Sequence, residues 1–139
     1  MLDEQEFEAQ QEAIRALNAA WKQTDYLGTC PVRQTLDRIG DKWTVLVVLC
    51  LGQGPQRFRE ILRNIEVISQ RMLTVTLRGL ERDGLVTRTV FDTRPPTVEY
   101  ELTDLGKSLF IPLMSLADWA IANEPEVNVA RRKYDEREQ

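Results

Sequence analysis

With 139 residues, 42% of them hydrophobic and 29% charged, the chain has the size and composition of one globular domain, which excludes a disordered tail, a membrane protein and two independent domains. It has no histidine and only two cysteines, Cys30 and Cys50, which removes Ser-His and Cys-His catalytic pairs, His-ligated metals, a closed zinc site and a secreted disulfide scaffold. The net charge of −4 argues against indiscriminate nucleic-acid binding, yet Arg57–Arg88 holds seven arginines against Glu60, Glu66, Glu81 and Asp83, so an anionic partner would dock in the middle of the chain.

The first predicted element is a helix from Asp3 to Thr24, with Phe7, Ile14, Leu17 and Trp21 in a narrow stripe like a helix–helix seam. Its first turns carry Asp3, Glu4, Glu6, Glu8 and Glu12, the opposite of a basic signal peptide. The longest uninterrupted apolar run, Val45–Leu51, is far short of the ~20 residues that cross a bilayer, so a cytoplasmic protein with no membrane partner is expected. A second helix opens at Pro31 or Val32 and stops at Gly40. A third, Lys42–Leu51, is apolar nearly all round and is the predicted central buried element. After the Gly52-Gln-Gly-Pro55 turn come a very short strand at Gln56–Phe58 and a helix over Arg59–Ile65.

Gln70–Asp83 is the most informative helix. Ser69 takes the N-cap role, Ile68 and Leu73 occupy the two positions of a hydrophobic staple, and Gly84 stops the helix. At ~100° per residue, Leu73, Leu77 and Leu80 share one side, and Arg71, Val75, Arg78 and Arg82 share the other, flanked by Thr74. Leu85–Phe91 and Thr97–Leu102 then form a hairpin with a stiff Asp92-Thr-Arg-Pro-Pro96 tip. Thr103 caps a last helix to about Asn123, with Leu105, Leu109, Leu113, Leu116 and Ala120 in a stripe and a bend at Pro112. A frayed tail or an irregular helix is expected over Glu124–Gln139.

A buried helix, a short helix, a capped polar-faced helix and a hairpin, in that order, describe a winged helix-turn-helix, an α+β fold that is mainly α. One helix fits the major groove of duplex DNA, and a hairpin reaches the backbone or the adjacent minor groove. The DNA-contacting candidates are Arg57, Ser69, Gln70, Arg71, Thr74, Val75, Arg78 and Arg94. Arg71 and Arg78 suit guanine or phosphate, Gln70 suits adenine, and Val75 or Thr74 can meet a thymine methyl. Ser69 and the first helical N–H groups are phosphate anchors, and Arg94 at the wing tip suits the minor groove or a phosphate. Set against this, an arginine face on an exposed helix is most often only solvated. Glu60, Glu81, Asp83 and Glu99 fall on different elements and make no metal or acid–base set. No cofactor is expected.

From Cys30 to about Trp119 the chain resembles the HxlR-type transcriptional regulators, bacterial winged-helix proteins related to the MarR group. The resemblance is carried by Cys30-Pro-Val32, Gly40-Asp-Lys-Trp43, Arg57-Phe58, Ile68-Ser69 with Leu73, Leu77, Leu80 and Glu81, then Asp83-Gly-Leu-Val86, Arg88, Pro95-Pro-Thr-Val-Glu-Tyr100 and Leu102-Thr103 with Gly106. Asp41 departs from the family, which more often has a second glycine there, and the segment before Cys30 is longer than in many relatives. The resemblance implies a homodimer paired through N- and C-terminal helices on a palindromic operator. Its interface would include Phe7, Ile14, Leu17, Trp21, Leu109, Leu113, Leu116 and Trp119. The expected divisions are residues 1–29 and 108–139 for dimerisation and 30–107 for DNA binding. It also implies that Cys30, set near Arg33 at a helix N-terminus, is a candidate sensor of oxidants or electrophiles, with a half-buried structural thiol as the alternative. Cys50 is expected to be inert filling. The remaining alternatives are a winged-helix protein-interaction module, a regulator answering a small thiol, electrophile or aromatic ligand, and, least favoured, an enzyme acting through Cys30.

Overall fold

The computed structural model describes residues 3–24 and 31–138. The chain divides into two units, Met1–Asp41 and Lys42–Gln139. The first holds helices α1 (Glu4–Thr24) and α2 (Pro31–Ile39). Asp3 caps α1: its carboxylate accepts from the Glu6 N–H at 2.7 Å, and the Glu6 side chain accepts from the Asp3 N–H at 3.4 Å.

The second unit runs α3 (Lys42–Leu51), β1 (Gln56–Arg57), α4 (Phe58–Ile65), α5 (Gln70–Arg82), β2 (Val86–Phe91), β3 (Thr97–Leu102) and α6 (Asp104–Glu138). As expected, α3 is the central element. Thr44, Val47, Val48, Cys50 and Leu51 are buried, and the helix packs against α4, α5, α6 and β3. Ile61, Leu73, Leu77, Leu80, Val86, Leu102 and Leu113 complete the core. The three strands form an antiparallel sheet in the order β1-β3-β2. Its register runs from Val86↔Leu102 at the root to Phe91↔Thr97 at the tip, with Gln56↔Tyr100 and Arg57↔Glu99 on the other edge of β3. The wing is therefore a hairpin with a third strand laid along its inner half. The helix after β1 begins at Phe58, one residue earlier than the pattern of apolar residues implied.

Three local details position the site. The turn between α4 and α5 is held by Glu66, which sits at φ 65° and ψ −52°, with the Val67 N–H donating to the Ile65 carbonyl at 2.8 Å. That is a tight γ-turn in a region non-glycine residues rarely occupy. Next, α5 ends in a Schellman motif. The Leu85 N–H donates to the Leu80 carbonyl at 2.9 Å and the Gly84 N–H to the Glu81 carbonyl at 3.0 Å, with Gly84 at φ 75°. Finally, Gln56, buried in β1, donates to the Cys50 carbonyl at 2.7 Å and accepts from the Asn64 side-chain amide at 2.8 Å, joining α3, the sheet and α4.

Two expectations about α6 are corrected. The last helix does not end near Asn123: of the frayed tail and the irregular helix expected beyond it, a helix forms, so that one helix of 35 residues continues to Glu138, through both Pro112 and Pro125. The segment 124–138 lacks glycine and is rich in Glu and Arg, and Val127, Ala130 and Tyr134 prolong the stripe begun at Leu105. The second correction is Leu113, which is 3% exposed and belongs to the subunit's own core, so it offers no surface to a partner. It lies on the side of α6 that carries Gly106 and Phe110, next to the Leu105–Leu109–Leu116–Trp119 stripe and distinct from it.

Candidate nucleic-acid interface

Hydrophobic burial orients α5. Leu73 and Leu80 are fully buried and Leu77 is 1% exposed, so the helix has one face it must give to α3 and the root of β2. The opposite face is thereby fixed outward. Arg71, Val75, Arg78 and Arg82 are exposed on it, and Thr74 lies half-buried at its margin. Val75 is 56% exposed at the centre of this face, a β-branched apolar side chain among guanidinium groups.

The N-terminus of α5 is built as expected. The Ser69 hydroxyl accepts from the Met72 N–H at 3.1 Å. The amides of Gln70 and Arg71 precede the first residues that can find an intrahelical acceptor, so they point out of the helix end, where the dipole favours an anion. The Thr74 hydroxyl donates to the Gln70 carbonyl at 2.9 Å, which commits it to the backbone.

Arg94 lies at the wing tip, beyond the Phe91↔Thr97 pair. The Thr93 hydroxyl lies 2.8 Å from the Pro95 carbonyl and 3.1 Å from the Thr97 hydroxyl, tying the tip together. From root to tip the hairpin advances five residues, roughly 17 Å at 3.3 Å each, so Arg94 reaches outward from the core. Ser69, Gln70, Arg71, Thr74, Val75 and Arg78 are thus brought together on one helix, with Arg94 on a separate arm. Arg57 is exposed at the start of α4, where its N–H donates to the Glu60 carboxylate at 3.1 Å, and it sits opposite Glu99 across the sheet. Among the described residues, none of Arg57, Arg71, Arg78 and Arg94 is ion-paired, which leaves their charge available to an external anion.

Arg59 and Arg63 were not singled out from the sequence. They are exposed on α4 one turn apart. The available signal was their i, i+4 spacing opposite Ile61, Leu62 and Ile65.

The interface expectations resolve unevenly. Phe7 (53%) and Ile14 (49%) are exposed on α1, and Leu116 (53%) and Trp119 (59%) on α6, while Leu109 is half-buried. The side chains of Leu17 and Trp21, and all of Cys30, lie outside the described residues. Along α6, Leu105, Leu109, Leu116, Trp119, Ala120, Val127, Ala130 and Tyr134 fall within about 100° of one another. This helix is long and apolar enough to span a bilayer by length and composition, and only 11% of its most apolar stretch is buried in the subunit.

Cys50 is buried, and burial pushes its thiol above the ordinary range, with hydrogen bonding to Gln56 and Asn64 opposing in part. Its Sγ donates to Gln56 Oε1 at 3.4 Å. It is a buried core thiol that also makes a hydrogen bond. Among the described residues there is no cluster of three metal-ligating side chains.

Comparison with known proteins agrees with this geometry. The sequence model of the HxlR-like helix-turn-helix family matches residues 38–128. The HTH-type transcriptional regulator YtfH of Escherichia coli (strain K12) is 40% identical over 102 residues, 73% of this chain and 81% of that protein. The solved structure of the regulator ytfH from Salmonella typhimurium superposes with a TM-score of 0.69 at 36% identity, covering 75% of this chain and 93% of that one. The redox regulator HypR in its reduced form gives 0.67 at 40% identity, over 71% and 98%.

Proposed function

The chain belongs to the HxlR-like helix-turn-helix family and is a transcriptional regulator of the HxlR/MarR type; from that premise we propose that it acts as a homodimer on a palindromic operator. In this reading α5 enters the major groove. Arg71 and Arg78 meet base edges or phosphates, Gln70 and Val75 meet base edges, and Ser69 and the free amides anchor a phosphate. Arg94 takes the adjacent minor groove or backbone, and Arg57 a flanking phosphate. Residues 30–107 form the DNA-binding part, and residues 1–29 and 108–139 supply the subunit contact through the exposed faces of α1 and α6. The two-fold sets two copies of α5 about one helical turn of DNA apart, ~34 Å.

One observation carries the reading: the leucine face of α5 is spent on the core, while its arginine face is exposed and makes no ion pair among the described residues. Selection of bound fragments from the source genome by the purified protein tests it. Enrichment of a palindrome, whose mobility shift weakens steeply with salt, is the expected outcome. The counterion slope is about −0.9 for each phosphate neutralised. Recovery of no common sequence would mean that the polar face serves another partner.

The similarity to HypR, a redox regulator solved in reduced and oxidised forms, favours a second reading in which Cys30 reports an oxidant. A Cys30 thiolate attacks a small disulfide RSSR, forming a mixed disulfide and releasing one RS⁻. The Cys30 of the second subunit then displaces the other, giving an intersubunit bridge and a second thiol. Oxidised glutathione, a small disulfide, is expected to change operator binding by the wild type and to leave Cys30→Ser unaffected. Equal responses of the two proteins would reject this reading.

A further inference from the structure

The exit of α5 and the entry of α6 are joined through one residue and a close backbone contact. Thr103, the residue before α6, offers both of its polar groups to consecutive carbonyls of the recognition-helix exit. Its hydroxyl donates to the Gly84 carbonyl at 2.6 Å, and its N–H donates to the Leu85 carbonyl at 3.0 Å. The same hydroxyl oxygen accepts from the Gly106 N–H at 3.0 Å, capping α6 at its third position. Gly106 seals the contact. It is buried, and a Cβ there would collide with the Leu85 carbonyl oxygen, so the first turn of α6 lies backbone to backbone against the segment leaving α5.

The joint is made of backbone groups and the short side chain of Thr103. The Schellman motif fixes Gly84 and Leu85 to Leu80 and Glu81 within α5, the hydroxyl fixes Gly84 to Thr103, and the cap fixes Thr103 to α6. Farther along, Phe110 lies over Gly52 at the end of α3, where a Cβ would meet its ring, so α6 is also held from the other side. A rotation of α6 relative to the core must therefore pass through the exit of α5.

We infer that Thr103 is a positioning residue whose hydroxyl sets the angle between the recognition helix and α6, and through it the half-site spacing that the dimer accepts. This rests on the dimeric operator-binding reading above. A plain N-cap would lend stability to α6 alone. A joint that sets the angle would also determine which spacing is bound, because each base pair added between half-sites moves them by about 3.4 Å and about 35°.

Three substitutions separate the two roles. Thr103→Ser keeps the hydroxyl. Thr103→Asp keeps a strong N-cap at the positive end of the helix but has no proton to donate to Gly84. Thr103→Val keeps the shape and loses both bonds. Each is titrated against the operator recovered by fragment selection and against versions with one base pair added or removed at its centre, alongside thermal melting.

The wild type and Thr103→Ser are expected to prefer the native spacing by about tenfold or more. Thr103→Asp is expected to melt within a few degrees of the wild type while its preference falls to about threefold or less. Thr103→Val is expected to lose both stability and preference, and should it fail to fold, Thr103→Asp still decides. A Thr103→Asp protein that discriminates spacing as the wild type does overturns the inference and leaves the operator reading standing. A wild type that binds no palindrome overturns both.

Discussion

Substituting Val75 separates stability from binding, because the two responses should have opposite signs. Val75 is 56% exposed and contributes little to the core, whereas alanine is the better helix former by roughly 0.5 kcal/mol. Val75→Ala is therefore expected to be at least as stable as the wild type. If the centre of the α5 face lies against base edges, that exposed area is removed from water on binding. Complete burial of a valine stabilises by about 1.5–3 kcal/mol, so the exposed 56% corresponds to about 0.8–1.7 kcal/mol per subunit. Alanine forfeits roughly two-thirds of this. Over two subunits the loss is about 1.1–2.2 kcal/mol, or roughly 6- to 40-fold in affinity. Fluorescence anisotropy on a labelled operator duplex, with differential scanning calorimetry of the free protein, measures both. Unchanged or tighter DNA binding by the more stable variant would refute the placement of this face in the groove.

Arg94→Ala should weaken binding to operator and unrelated DNA alike. With one phosphate lost per subunit, it should make the log–log salt slope shallower by about 1.8. Trp119→Glu places a charge on the exposed stripe of α6 and is expected to raise the dimer dissociation constant at least about tenfold without unfolding the subunit, as sedimentation equilibrium would show. Cys50 supplies a pH dependence. Burial raises its folded-state pKa above that of the unfolded chain, so the stability gained by keeping the thiol neutral is complete below the unfolded value and is lost as pH rises through the folded one. Above about pH 8.5 the urea midpoint of the wild type should fall more steeply than that of Cys50→Ala, and parallel slopes would contradict this.

What the sequence disclosed follows from local physics. The all-round apolar pattern of Lys42–Leu51 marked the central helix, and the opposed leucine and arginine faces of α5 needed only the helical period, a serine cap and a glycine stop. The hairpin was legible from β-branched runs around a Pro-Pro tip. What escaped notice depends on tertiary partners. Gln56, Cys50 and Asn64 meet only because a strand, α3 and α4 converge, and nothing in a lone glutamine foretells its burial. The γ-turn at Glu66 has no residue signature, since a non-glycine positive φ is imposed by the surrounding packing. Leu113 was misassigned because two adjacent faces of α6, one toward α3 and one outward, overlap when reduced to a single stripe. The sequence left residues 124–138 open between a frayed tail and an irregular helix, because a tail of charges looks aperiodic until Val127, Ala130 and Tyr134 are aligned with Trp119.

The account stands on the arginine face of α5 meeting the major groove, and guanine N7 lies on that groove floor. Methylating operator DNA at N7 with dimethyl sulfate before binding, then sequencing the bound and free fractions, reads the contact directly. The wild type should be blocked by methylation at guanines in two clusters about one helical turn apart, and Arg78→Ala should become indifferent to one position in each cluster. Binding that tolerates N7 methylation everywhere, for both proteins, would contradict the assignment of α5 as the element that reads DNA.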